Sequence, residues 1–325
     1  MRIFRHVGDL PDSAKGAVVA IGNFDGLHRG HQQVIATARD IARTQSRQFG
    51  VLTFEPHPRA FFGRVDAPFR LTPFRIKVRE LQVLGVELLF ALRFNKSLSQ
   101  RTAENFLSEL LHQGIAPAHV VVGYNFKYGS GRDGDFDLLA ARGKELGFDV
   151  TCVEPARDEV NEVYSSTLIR KYLTNGQPQR AAALLGHLWE VEGRVGTGRQ
   201  LGRTIGFPTA NVDLGEAIRP ARGVYSIRGG VRVGETMRWY DGVANVGVRP
   251  TVDGETLILE AHLFDFDEDI YGKYLRVAFV DFLRAEQKFD GIDALRAQIA
   301  EDSRQARELL QARALGAGDF IGEDM

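Results

Sequence analysis

The stretch Ala17-Val18-Val19-Ala20-Ile21-Gly22-Asn23-Phe24-Asp25-Gly26-Leu27-His28-Arg29-Gly30-His31 joins a short apolar run to a polar turn punctuated by glycine, and a helical pattern follows over residues 31–44. An apolar run too short for a helix, then a glycine turn, then apolar residues at three and four spacing, reads as strand, turn and amphipathic helix. The same alternation recurs downstream. Apolar runs at 49–54, 87–92, 119–122 and 148–153 are separated by helical patterns over 70–84, 100–112 and 135–146. Repeated strand–helix units predict an α/β domain with a doubly wound parallel sheet, covered by helices on both faces. Ligands on such sheets bind outside the carboxyl ends of the strands, which is where Gly22–His31 stands.

Beyond about residue 186 the pattern changes. Runs at 189–196, 223–228, 237–246, 255–264 and 275–282 read as strands separated by glycine-rich turns, and no helical period returns until residue 292. There Ile292, Leu295, Ile299 and Leu309 mark one face, with Asp290 placed to cap the helix. Short strands and one terminal helix predict a mainly β domain, a small antiparallel barrel closed by that helix. The turn signal Asn175-Gly176-Gln177-Pro178 and a short helical stretch at 178–185 form the joint. The expected division is 1–185 for the first domain and 186–312 for the second. The tail 313–325 is too poor in apolar residues to be a structured element.

Composition narrows the function classes. Of 325 residues, 41 are Lys or Arg and 42 are Asp or Glu, a net charge of −1. That balance excludes a general binder of nucleic acid or membrane surface, which reads as basic. One cysteine, Cys152, supports neither an internal disulfide framework nor a thiolate zinc site, and fits a reducing, cytoplasmic location. The first thirteen residues lack the apolar core of a signal peptide, and no run of about 18 apolar residues exists to span a membrane. Glycine is in excess, 35 of 325, which hints at backbone that approaches a ligand closely.

Gly22 and Gly26 permit a tight turn, and a helix starting near His28 aims free N–H groups and its positive dipole end at an anion. His28 and His31 are three apart and share a helical face. Two imidazoles at a helix start suit charge developing on phosphate in a transition state, with Gly30 removing a side chain that would block the ligand. Half a metal site is the competing reading, but zinc needs further ligands, and no cysteine or carboxylate stands at a helpful spacing. A glycine turn with surface histidines is the other.

Three more segments of the first region share this character. Phe54-Glu55-Pro56-His57-Pro58 is a rigid extended loop by its prolines, and Phe61 and Phe62 behind it offer ring faces for a planar heterocycle, or core packing. Gly123-Tyr124-Asn125-Phe126-Lys127-Tyr128-Gly129 follows a predicted strand. In Ser165-Ser166-Thr167-Leu168-Ile169-Arg170, the hydroxyls fit a helix start and Arg170 follows one turn on. An Arg fork beside hydroxyls suits phosphate, while capping alone is the plainer reading.

In the second region, Gly198, Gly202 and Gly206 punctuate a segment that leads through Phe207 and Pro208 to Thr209-Ala210-Asn211. Its spacing is neither a Walker loop nor the protein-kinase glycine loop. Thr209 and Asn211 fall on one side of an extended segment. They offer neutral oxygens suited to magnesium already held by ATP phosphates, a structural Thr or Asx turn being the alternative. Within 257–264, alternation sets Leu257, Leu259, Ala261 and Leu263 on one face and Ile258, Glu260, His262 and Phe264 on the other. Lining a cavity, Glu260 would have its pKa raised by burial and could take a hydroxyl proton; a solvated edge carboxylate is the plain reading.

Gly22–His31 resembles the first motif of the His-x-Gly-His nucleotidyltransferases, and together these segments resemble the bacterial bifunctional riboflavin kinase/FAD synthetases, from about residue 17 to 310. The resemblance implies ATP contacts in the first domain from Gly22, Asn23, Phe24, Asp25, Gly26, Gly30, Asn125, Ser166, Thr167 and Arg170, and flavin contacts from Phe54, Pro56, Pro58 and Phe62. It implies His28 and His31 as catalytic there and Glu260 as the base in the second domain. Gly198, Gly202, Gly206, Phe207 and Pro208 would hold nucleotide or flavin in that domain, with Thr209 and Asn211 on Mg2+. Asn245–Thr251, Asp269–Gly272 and Leu283–Phe289 match the same family, though some relatives carry Asn at the place of Arg249. The implied activities are phosphorylation of riboflavin to FMN and adenylylation of FMN to FAD. ATP is the co-substrate, riboflavin, FMN and FAD are substrates and products, and a homo-oligomer is left open.

Overall fold

The computed structural model describes every residue except 64–67, 158–161, 198–205, 252–253 and 314–325; of 249–251 and 254–256 it describes the backbone alone. In chain order the first part comprises β1 (Arg2–Phe4), β2 (Val18–Ile21), α1 (Arg29–Thr44), β3 (Phe49–Glu55), α2 (Pro58–Phe61), α3 (Phe74–Val83), β4 (Leu88–Arg93), α4 (Lys96–Ser99) and α5 (Ala103–Asn105). A wide-turned helical segment over Phe106–Ile115 continues α5, followed by β5 (His119–Gly123), α6 (Phe136–Leu146) and β6 (Asp149–Val153). The strands form one parallel sheet in the order β1-β4-β3-β2-β5-β6. All four residues of β2 and the first five of β3 are buried, as expected where helices cover both faces.

This order positions the site. From β2 the chain runs outward through β3 to β4, whereas β5 and β6 lie on the other side of β2. The direction reverses between β2 and β5, which makes the carboxyl ends of those two strands the ligand crevice. Gly22–His31 leaves one end and Tyr124-Asn125 leaves the other.

The second part comprises α7 (Ser166–Thr174), α8 (Pro178–Leu185), β7 (Trp189–Gly196), β8 (Ala210–Asp213), β9 (Gly223–Val233), β10 (Thr236–Thr251), β11 (Gly254–Leu263), β12 (Tyr274–Ala285) and α9 (Ile292–Ala312). Its six strands close into an antiparallel barrel, β10-β11-β8-β7-β12-β9. Ala306 and Leu310 of α9 pack with Val224, Val243, Ala278 and Val280 of the barrel. Pro178 opens α8 and Gly186 ends it in the left-handed region at φ 83°, each in its favoured place.

The chain divides into two compact units, Met1–Asp66 with Lys77–Ser165, and Ala67–Ile76 with Ser166–Met325. Within the second unit the indole N–H of Trp189 donates to the Leu71 carbonyl at 3.0 Å, and Ile218 N–H donates to Arg70 at 2.7 Å.

Several sequence expectations are corrected. β1 and β8 were not expected as strands; three and four residues carry too little alternation to register. The helix expected over 70–84 starts at Phe74, behind Pro73, and Arg70 instead bridges to Ala217. Asp290 does not cap α9: Gly291 is the capping residue, with no side-chain bond. The buried stripe of that helix ends on Asp302, Ala306 and Leu310, while Ile292 and Leu309 are exposed.

Candidate functional site

The first site is built on the start of α1. His28 is its N-cap: the His31 N–H donates to His28 Nδ1 at 3.3 Å. That bond needs an unprotonated Nδ1 and leaves Nε2 as the donor of a neutral ring. The two rings stack with centroids 3.7 Å apart, and Phe24 meets the His31 ring edge-on at 5.4 Å. His28 and Asp25 are buried. Phe24 and Leu27 both take positive φ, 46° and 40°, around Gly26 at 94°; non-glycine residues hold this region only when their surroundings impose it. A Cβ on Gly30 would fall 3.2 Å from His28 Nδ1 and 3.5 Å from Tyr164 Cβ. The missing side chain at Gly30 therefore makes room for the His28 ring itself, where the sequence reading had it clear space for the ligand.

Asn125 stands exposed just past β5, across the crevice, with its Oδ1 3.9 Å from the place of a Cβ on Gly123. Phe54 and Phe62 both meet Phe94 edge-on, at 6.0 and 5.8 Å. Phe61 joins the same cluster at 5.3 Å from Phe94, and Phe106 and Tyr128 extend it inward. Phe61 and Phe62 are 38% and 49% exposed, so they are not core residues. The loop is not extended throughout: Pro58 opens the one-turn α2, with His57 Nδ1 accepting from Arg59 N–H at 3.1 Å.

Ser166, Thr167 and Arg170 do start a helix, α7, and belong to the second compact unit. Arg170 Nε donates to the Phe69 carbonyl at 2.9 Å, and its guanidinium lies 5.4 Å from the Phe69 ring centre.

The second site lies on the barrel. Ala210 and Val212 point into it, and Thr209 and Asn211 lie on its other side, half-buried. Glu260 is paired directly with Asn211 on β8 and with Asn245 on β10. Paired side chains of this kind stand about 4.5–5.5 Å apart at Cβ, so Asn211, Glu260 and Asn245 form one row. Glu260 is exposed, and the burial on which a raised pKa was expected is not supplied. A cavity of about 370 Å³ is lined by Pro208, Thr209, Ala210, Ala261, Asp269 and Tyr271 among others; Thr209 borders it, and Asn211, Glu260 and Asn245 are not among its lining residues. Gly206 has a φ of 90° and leads into Phe207 and Pro208; Gly198 and Gly202 lie outside the described residues.

Sequence reading missed two supports of these sites. His262 Nδ1 donates to the Pro208 carbonyl at 2.8 Å, its ring 5.6 Å from that of Phe207. Burial holds the imidazole below its usual pKa, with Arg307 adding to the effect and the Pro208 bond opposing it. Its place two residues from Glu260 in an alternating strand was the available signal. Lys77, fully buried beneath Asn23, reads in sequence as one more solvated helix lysine.

Thr209, which lines the cavity, and Asn211, two residues further along the strand, supply neutral oxygen donors, the donor type Mg2+ takes when phosphates provide its remaining ligands. The residues fit that ion.

Comparison with known proteins follows the same division. A family model described as FAD synthetase matches residues 10–168, and one described as riboflavin kinase matches 185–310. The chain is 40% identical over 309 residues to the bifunctional riboflavin kinase/FMN adenylyltransferase of Escherichia coli K12, covering 95% of this chain and 97% of the relative. The protein of the same description from Bacillus subtilis is 37% identical over 297 residues, covering 89% and 91%. A crystal structure described as a macrolide-efflux protein from Streptococcus pneumoniae superposes with a TM-score of 0.81 at 31% identity, covering 94% of this chain and 98% of that one.

Proposed function

Since the chain belongs to the family of bifunctional riboflavin kinases/FMN adenylyltransferases, we propose that it makes FAD from riboflavin in two steps, each on its own site. The barrel transfers the γ-phosphoryl of ATP to the 5′-hydroxyl of riboflavin, giving FMN and ADP. The parallel-sheet unit lets the FMN phosphate attack the α-phosphorus of a second ATP, giving FAD and pyrophosphate. Residues 1–185 carry the adenylyl transfer and 186–312 the kinase. The efflux named for the pneumococcal structure is not proposed, because both family models, the curated relatives and the motifs agree on flavin chemistry.

In the kinase reading, Glu260 accepts the proton of the riboflavin hydroxyl. Asn211 stands beside it in the register, and Thr209 faces the cavity where the nucleotide binds. Thr209 and Asn211 would hold magnesium, which would supply neutralisation of the phosphate charge. His262 fixes the Pro208 carbonyl and with it the approach to Thr209. In the adenylyltransferase reading, His28 and His31 and the first N–H groups of α1 stabilise charge on the transferring phosphate. Asn125 contacts the nucleotide across the crevice, and Phe54, Pro56, Pro58 and Phe62 hold the flavin. Ser166, Thr167 and Arg170 take the triphosphate. Catalysis is positioning and charge stabilisation, with no covalent enzyme intermediate. The substrates are small molecules, and the proposed location is the cytoplasm.

One observation carries the reading: a single chain holds a stacked His28–His31 pair at the switch point of a parallel sheet and an Asn211–Glu260 row on a closed barrel. Incubation with riboflavin and Mg-ATP, with FMN and FAD resolved by chromatography, tests it. Both products are expected, FMN first; FMN alone would remove the adenylyltransferase half.

A further inference from the structure

We propose that Lys77 is a positioning residue for adenylyl transfer: its buried ammonium ties the turn that carries His28 and His31 to the loop that carries Pro56 and Pro58. The proposal rests on the adenylyltransferase reading of the first unit. Lys77 Nζ donates to the Asn23 carbonyl at 2.8 Å and to Glu55 Oε1 at 3.2 Å. Its side chain is 0% exposed and that of Glu55 is 12% exposed. The Asn23 carbonyl accepts a second bond, from Thr53 Oγ1 at 3.2 Å. Lysine, a strongly hydrated point charge, is almost never fully buried unless paired. Here its two acceptors come from two different substrate loops.

Both loops need holding. Asn23 directly precedes Phe24, the first of two non-glycine residues with positive φ in the turn. Such conformations persist when surrounding bonds over-determine them, and the doubly bonded Asn23 carbonyl is one such constraint. Glu55 is the last residue of β3 and directly precedes Pro56, and its own carbonyl accepts from Phe94 N–H at 2.9 Å. Lys77 thus fixes where the catalytic turn sits relative to the flavin loop. Stability alone gives little reason for the pair, because well-packed apolar residues often replace a buried ion pair at no loss. An ammonium with directed donors sets a distance between two loops that an apolar side chain does not. With no accessible surface it touches no substrate, so it acts through the turn.

The test uses the full chain, measuring FAD formation from supplied FMN and ATP, with riboflavin phosphorylation as internal control. Lys77→Met keeps the length and removes the charge. Since a misplacement of about 1 Å costs about 10²-fold, kcat per folded molecule for FAD formation should fall about 10- to 100-fold. Phosphorylation should stay near wild type. Amide exchange should quicken in residues 22–31 and 53–58 more than elsewhere in the unit, and Lys77→Arg should restore part of the rate. A merely stabilising lysine predicts normal turnover by every molecule that remains folded, and wild-type kcat per folded molecule in Lys77→Met overturns the proposal. Should that variant not fold, Glu55→Gln decides: it keeps the shape and weakens the tie, so a reduced kcat supports the proposal and a wild-type kcat overturns it. A wild-type chain that makes no FAD from FMN defeats the adenylyltransferase reading instead, before any variant is compared.

Discussion

The backbone N–H of His31 donates to Nδ1 of His28 at 3.3 Å, so one imidazole caps the helix whose first turn carries the other. Capping, which is observed, and chemistry, which is proposed, thereby fall to a single side chain. His28→Asn separates them, because asparagine is itself a favoured N-cap acceptor but lacks the ring. The expected outcome is FAD formation reduced by about 10²–10³, the usual loss for one preorganised donor, with unfolding of the first unit little changed. His28→Ala should lose a similar rate and about 1 kcal/mol of stability besides. Riboflavin phosphorylation should survive both. Equal loss of both activities in His28→Asn would sink the assignment.

Buried and half-buried histidines make the fold acid-sensitive. His119, His187 and His262 are all held below their ordinary pKa of 6.5, burial being the main cause in each. Asp149 opposes the shift at His119; the Leu188 carbonyl and Glu190 oppose it at His187. Because the folded values are depressed, the unfolded chain binds more protons just below pH 6.5. The stability these groups contribute is present above that pH and is lost as pH falls through the folded values. Carboxylates titrate ordinarily near about 4, so the upper part of this window belongs to histidine. Chemical denaturation at pH 7.5 and 5.5 should give a lower midpoint at 5.5, with a shallower dependence in His187→Asn. A flat profile would remove the buried histidines from the acid response.

Two hydroxyls should be dispensable. Tyr128 and Ser226 are buried, and neither side-chain oxygen has a hydrogen-bond partner among the described residues. The Tyr128 phenol is pushed well above its ordinary pKa, first by burial and then by Asp135, Glu104 and Asp133. An unsatisfied buried hydroxyl costs about 1–3 kcal/mol. Tyr128→Phe keeps the ring contacts with Phe106 and Phe126 and should stabilise the first unit by about 1 kcal/mol. Ser226→Ala should do the same for the barrel. Differential scanning calorimetry that follows the two transitions separately checks both; a lower transition temperature in either variant contradicts the account.

What could be read from the sequence had a local cause. β2 through β6 are apolar runs with helical patterns between them, and β7 and β9 to β12 stand between glycine turns, so period alone places them. β1 is three residues long and β8 four, each recognisable only by the neighbour it pairs with. The buried stripe of α9 runs through Asp302, Ala306 and Leu310, and at 3.6 residues per turn Leu309 stands about 100° from Leu310. Leu309 therefore turns to solvent, while Leu310 meets the barrel. Motif residues such as His28 and Asn211 were legible because their chemistry is unusual for their setting. Lys77 and His262 were not, because what marks each is burial against a carbonyl far away in the chain, at Asn23 and Pro208.

The last prediction concerns Glu260. It is exposed and paired across the sheet with Asn211 and Asn245. Glu260→Gln keeps shape and hydrogen-bonding capacity while removing the basic oxygen. General-base help contributes typically about 10²–10⁴ in rate. A loose phosphoryl-transfer transition state calls on the base late, so the loss should lie near the low end, about 10². It should fall on kcat, with KM for riboflavin little changed. Asn211→Ala gives the contrasting pattern: as a proposed magnesium ligand it should weaken the nucleotide side of the reaction, raising the Mg2+ concentration needed for half-maximal rate. In both variants FAD formation from supplied FMN should continue, since neither residue is among those proposed to carry adenylyl transfer. A kcat near wild type in Glu260→Gln would leave positioning and magnesium as the whole of the kinase chemistry, and would return Glu260 to being a solvated carboxylate on the barrel wall.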